Sequence, residues 1–344
     1  MQRQDYIATA TVMLGTLAST LTGFVREMAL AYQFGTGRGA DIYLVSFAIP
    51  EFAFVILYIV VAPVFIPLFT ECRSRAGEIG AWLFGRRVAV ALLAFLSVIV
   101  GIVILAAPLF LRWLAPGFGP GEYAQAVRAV RIMSPAITIM GLATLGGAVL
   151  QVYRRFARPS LIYAIYNATF IVVLLGAPLV WLVGRAAWGV TLGAIAALLL
   201  QLPLLWRYRP AGVAARREER PELPVGIRDA ALLAGPLAAG YAVHHLVLFV
   251  DRAMATTLGA GGVATLNYGY RLALVVGQLS GFAVSTALFP RMAEQAARDD
   301  RAGLGASLAG ALRFVWMIGL PASVGLVLLR EPLVQVLFER GAFD

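Results

Sequence analysis

The residues best placed to do chemistry are charges standing where hydrocarbon is expected. Arg26 lies well inside the apolar run Tyr6–Phe34, with Ser19, Thr22 and Gly23 seven, four and three residues before it on the same helical face. A guanidinium in that setting can grip a phosphate or carboxylate through charge-assisted hydrogen bonds. It can equally snorkel to headgroups or pair with an acidic neighbour. Arg271 heads a longer stripe, with Asn267, Gln278 and Ser285 at four before, seven after and fourteen after it. That stripe reads as a ligand pathway or as an interhelical hydrogen-bond network. Each mid-bilayer charge costs about 2.5–3.5 kcal/mol on insertion scales, so those that persist are functional candidates.

The acidic candidates are fewer. Asp41 stands beside the Gly35-Thr36-Gly37-Arg38-Gly39 turn, either as a helix N-cap or as a functional carboxylate. Glu51 follows Pro50 deeper in the same run, and its protonation state is left open. Asp251 shares a face with His244 and Gly240 and could hold a cation, relay a proton or pair with an arginine of an adjacent helix. Its neighbour Arg252 points to another face. His244 and His245 are the only histidines, too few for a metal site. The glycines of 35–39 follow a helical run and so form a turn, not a nucleotide fingerprint. There is no Walker sequence, Gly-x-Ser-x-Gly or Asp-rich diphosphate motif, so neither ATP hydrolysis nor enzymatic chemistry is expected. Asp299-Asp300, among arginines, reads as a solvated loop.

These residues need elements to carry them. The chain has 344 residues, 60% hydrophobic and only 13% charged, where soluble domains carry about 25% charged residues. A bilayer must be the solvent. A spanning helix needs about 20 apolar residues. On that ruler about nine runs qualify: Tyr6–Phe34, Ile42–Phe69, Val88–Leu111, Ala124–Tyr153, Leu161–Val183, Ala187–Trp206, Ala230–Leu258, Val263–Phe289 and Ala306–Leu329. They are too long and too uniform for barrel strands. Met1–Gly23 has the look of a signal peptide, but the run continues past Arg26 to Phe34 and is the first span.

All 28 basic residues are arginine, and the net charge is +10. Most lie in short loops between spans, which points to lipid headgroups and away from nucleic acid. Loops rich in arginine (73–87, 154–158, 207–228, 291–301) alternate with poor ones (115–120, 259–265). The positive-inside rule then puts the rich loops and the N-terminus in the cytoplasm of a multi-pass protein of the bacterial inner membrane. Cys72 is the single cysteine, so no internal disulfide forms.

The sequence also repeats itself. Phe34-Gly35-Thr36-Gly37 returns as Leu258-Gly259-Ala260-Gly261, and Phe65-Ile66-Pro67 as Leu288-Phe289-Pro290, at an offset of roughly 224 residues. The expected fold is an all-α polytopic membrane protein built as a parallel-duplicated two-lobe helix bundle. Residues 1–206 form the first lobe with six spans, 207–228 a cytoplasmic linker, and 229–344 a second lobe truncated after three.

The ordered motifs resemble the MurJ/MviN lipid II flippase family of the multidrug/oligosaccharidyl-lipid/polysaccharide exporter superfamily. They are Gly23-Phe24-Val25-Arg26-Glu27, Phe34-Gly35-Thr36-Gly37 with Asp41 and Pro50, Val250-Asp251-Arg252-Ala253-Met254-Ala255, Leu266–Leu272, Leu288–Arg291 and Leu337–Phe343. The resemblance implies a V of two six-helix lobes around a cationic cavity. It implies alternating-access transfer of an undecaprenyl-diphosphate-linked peptidoglycan precursor, with no cofactor, by a protein monomeric at full length. Arg26, Arg271 and Asp41 match the family's cavity arginines and second-span aspartate. Asn267 and Gln278 extend the substrate-binding set, and Asp251 matches a possible sodium ligand. Thr20 and Phe54 stand where some members carry arginine. That departure keeps open another lipid-linked glycan, such as an exopolysaccharide or teichoic-acid unit. A cation-coupled drug exporter of the same superfamily, or a membrane scaffold, are further alternatives.

Overall fold

The computed structural model describes residues 2–178, 181–210 and 226–343, with 2–8, 244, 275–287, 289 and 290 described by backbone alone. Every element among the described residues is a helix: α1 (Gln2–Phe34), α2 (Arg38–Leu114), α3 (Pro120–Met133), α4 (Pro135–Val152), α5 (Ala157–Ser160), α6 (Ile162–Gly176), α7 (Leu182–Tyr208), α8 (Ile227–Thr256), α9 (Gly262–Ala287), α10 (Phe289–Ala297), α11 (Arg301–Leu328) and α12 (Arg330–Leu337).

Breaks fall where the backbone cannot continue. Uninterrupted, the 77 residues of α2 would reach about 115 Å, several times the ~30 Å hydrocarbon thickness. Gly77, at φ 71° and ψ −175°, breaks it into two helices. The expected fifth span, Leu161–Val183, stops early at Gly176. Pro178 holds Ala177 extended at φ −73° and ψ 133°, and α7 restarts at Leu182 instead of Ala187. At the last span the correction runs the other way. α11 begins at Arg301, five residues before Ala306, because the Gly303 N–H donates to Asp300 Oδ1 at 2.8 Å. Asp300 is thus an N-cap as well as an exposed loop charge.

The core is concentrated in α1–α7, and the rest of the chain contributes Ala255, Val263, Ala264, Tyr268 and, just past α12, Phe338 to it. Elsewhere α8 and α11 present exposed apolar residues such as Val247, Met254, Trp316 and Leu328, surface that a bilayer would cover. Together these make the chain a multi-pass membrane helix bundle. Arg38 and Gly262, which open α2 and α9, stand 224 residues apart, the period of the sequence repeat. α8 runs antiparallel along the first half of α2. Arg252 reaches Leu44 and Glu51, Phe249 and His245 meet Phe52, and Ala230, Ala234 and Ala238 pack near Val60–Phe69. This pairing positions the charges.

Candidate functional site

Arg26 is buried in an aromatic box. Its guanidinium carbon sits 4.5 Å from the Phe170 ring centroid, 4.7 Å from Phe47 and 5.8 Å from Tyr166. Nη2 donates to the Tyr43 hydroxyl, while Nε is buried with no hydrogen-bond partner. The rings stabilise the cation through their faces, and the orphaned donor marks an unsatisfied polar position. Glu27, one residue on, turns to the other side and joins α1 to α9. It accepts from Asn267 Nδ2 at 3.2 Å and pairs with Arg271 Nε at 3.4 Å.

Arg271 also reaches α2, with Nη2 donating to Glu51 Oε1 at 2.9 Å. The second oxygen of Glu51 takes Arg252 Nη2 of α8 at 2.6 Å. Glu51 therefore ties together three helices. Arg26, Arg252 and Arg271 set against Glu27 and Glu51 leave one excess positive charge inside an apolar bundle. Low local polarity strengthens each of these contacts.

Farther along α2, toward the arginine-poor loops, the helices are stitched shut. Asp41 is fully buried and lies in the first turn of α2, yet it caps a different helix. Its carboxylate accepts from the N–H groups of Gly261 at 2.7 Å and Ala264 at 2.9 Å, at the start of α9. Tyr268 donates to the Gly35 carbonyl at 3.3 Å, and Arg38 to that of Gly259 at 3.2 Å. The Gly117 N–H donates to Thr256 Oγ1 at 3.2 Å, and the Ala342 N–H to the Tyr32 carbonyl at 2.9 Å. The backbones nearly touch: a Cβ on Gly117 would lie 1.9 Å from the Thr256 carbonyl oxygen, and one on Gly341 2.5 Å from that of Tyr32.

Of the residues singled out from sequence, Arg26, Asn267 and Arg271 gather at one cluster, and Asp41 lies at the seam. Along the polar stripe before Arg26, Ser19 donates to the Ser160 carbonyl at 3.1 Å and Gly23 faces Asn167 of α6. The side chains of Gln278, Ser285 and His244 lie outside the described residues. Asp251 is exposed, has no partner among the described residues and belongs to no group of three metal-ligating side chains there. Sequence reasoning set Arg252 aside as facing elsewhere and gave Glu27 no role. The signal available was the rule already applied to Arg26, that a charge inside an apolar run demands a partner.

The sequence profile described as "Lipid II flippase MurJ" matches residues 30–344. A "Probable lipid II flippase MurJ" of Rhizobium meliloti is 31% identical over 346 residues, covering 97% of this chain and 63% of that protein. A "Lipid II flippase MurJ" of Burkholderia cenocepacia is 28% identical over 349 residues, covering 98% and 66%. The chain thus spans a little under two thirds of the length of these curated relatives. Among solved structures, "Lipid II flippase MurJ, inward closed conformation" superposes with TM-score 0.78 at 20% identity, covering 97% of this chain and 68% of that one. An inward-facing multidrug resistance MATE family transporter of the MOP superfamily superposes with TM-score 0.79 at 15% identity, covering 95% and 73%. At such identities these two structures establish the shared fold.

Proposed function

We propose, from the premise that the chain belongs to the MurJ lipid II flippase family, that this protein moves a polyprenyl-diphosphate-linked cell-wall precursor, lipid II, from the inner to the outer leaflet of the bacterial inner membrane. The observation that carries the reading is the cluster of buried Arg26 and Glu27 with half-buried Glu51, Arg252 and Arg271, drawn from α1, α2, α8 and α9. A diphosphate cannot cross about 30 Å of hydrocarbon unaided. Guanidiniums from helices on both sides of the repeat replace its water with charge-assisted hydrogen bonds. The polyprenyl tail stays in lipid.

The arginine-rich loops face the cytoplasm, where the precursor enters, and the seam at Asp41, Gly117 and Gly341 closes the opposite side. Rocking of the two halves opens that seam and releases the headgroup outward. Among the described residues Asp251 brings one exposed carboxylate and no group of three metal-ligating side chains, so no step is assigned to an ion.

The test is complementation. A host depleted of its own flippase and expressing this protein, with membrane insertion verified, regains lipid II exposure on the outer leaflet. Continued absence of exposure overturns the proposal. A second reading, a lipid-linked glycan other than lipid II, is favoured by Phe54. It is buried edge-on against Phe47 and Tyr166, at 6.2 and 5.7 Å between ring centroids, and supplies no cation. In the same host, export of an exopolysaccharide unit without lipid II exposure selects that reading.

A further inference from the structure

We infer that Glu51 is an internal anion occupying a phosphate position, and that Arg252, which it holds, is a further ligand for the anionic headgroup. The inference rests on the reading above, that the site receives a diphosphate.

The geometry is that of an anion bridging two guanidiniums, one nitrogen from each. One carboxylate oxygen lies 2.6 Å from Arg252 Nη2 and the other 2.9 Å from Arg271 Nη2. Two oxygens of a phosphate bridge guanidiniums in the same way. Arg252 has no other carboxylate among the described residues. Its remaining contact is a 3.4 Å hydrogen bond from Nη1 to the Leu44 carbonyl. Arg271 has Glu27 as a second partner, at 3.4 Å. Removing Glu51 would therefore leave one guanidinium without a carboxylate partner and the other with Glu27 alone. Both are partly accessible, with side-chain exposures of 13% and 30%.

Binding on this arrangement is an exchange. An incoming anion must displace Glu51, and its apparent affinity falls by the strength of the contacts broken. A singly charged anion only replaces like with like. A diphosphate brings more charge and more oxygens than the carboxylate it evicts, so the exchange favours it. Glu51 thereby filters for multiply charged heads. Its departure also removes one tie of α2 to α8 and one to α9, so ligand entry is coupled to a weaker hold on the helix that carries Asp41 at the seam.

The probe is inorganic pyrophosphate, titrated calorimetrically into the purified protein in lipid nanodiscs. Glu51→Gln is expected to bind it about tenfold more tightly than the native protein, since a lost charge-assisted contact is worth about that factor or more. Adding Arg252→Gln erases the gain, and Glu51→Asp stays near native. Equal or weaker binding by Glu51→Gln, no binding by either protein, or a gain that survives loss of Arg252 overturns the inference. Should Glu51→Gln fail to fold, Arg252→Lys reads the same point. It keeps the charge and loses the fork, so weaker pyrophosphate binding supports the role and unchanged binding overturns it. A pyrophosphate gain in protein that cannot restore lipid II exposure refutes the transport reading and leaves the internal anion standing.

Discussion

At the scale of single residues, the cluster is a set of mutual obligations. Arg271→Ala deprives Glu27 and Glu51 of a shared cation. A fully buried pair broken in this way costs about 3–5 kcal/mol, and partial exposure of Arg271 brings the expected loss to about 1–3 kcal/mol. Thermal unfolding of the purified variant should show a lowered midpoint, partly recovered by adding Glu51→Gln. Asp41→Ala removes both acceptors at the head of α9 and should cost about 1 kcal/mol, a normal capping loss. The clearer readout is access: a cysteine placed at buried Ala264 should react faster with an impermeant maleimide in the Asp41→Ala background than in the native one. Helical spacing identified Arg26, Asn267 and Arg271 because shared faces follow from 3.6 residues per turn. It missed the Glu51–Arg252 pair and misassigned the helix that Asp41 caps, because periodicity describes one helix and says nothing of what packs against it. Those partners lie 201 and 220 residues away.

At the scale of elements, apolar length revealed the helices, while a glycine (Gly77), a proline (Pro178) and a capping aspartate (Asp300) set particular ends. The extent of α9 was legible to within two residues, since Val263–Phe289 was expected and Gly262–Ala287 observed. The boundary between α6 and α7 was not, because hydropathy runs unbroken through 161–183 and only Pro178 marks the stop. Close approach of backbones was equally invisible, since a glycine in a loop does not announce its neighbour. Gly117 shows the cost. Gly117→Ala would press a methyl group to 1.9 Å from the Thr256 carbonyl oxygen. The variant should insert and fold at near-native yield yet fail to close the seam, and lipid II exposure in the depleted host should fall severalfold.

For the molecule as a whole, the proposed alternating access would require the seam to part in every cycle. Ala342 N–H and the Tyr32 carbonyl stand 2.9 Å apart, and neighbouring backbones at that distance suit a disulfide. Tyr32→Cys with Ala342→Cys should cross-link under oxidation and arrest export, and a reductant should restore it. Cys72 is fully buried and should give no background in this experiment. Export that continues in fully cross-linked protein would show that the seam need not open.

The two clasps have a shared arithmetic. Gly117 meets Thr256, and Gly341 meets Tyr32. Taking 224 from the later residue numbers turns both into one contact, between positions 32 and 117. That is the signature of an isologous interface, in which each partner offers the other the same two surfaces. With either clasp still closed the two halves stay joined, so in the proposed cycle both must release together.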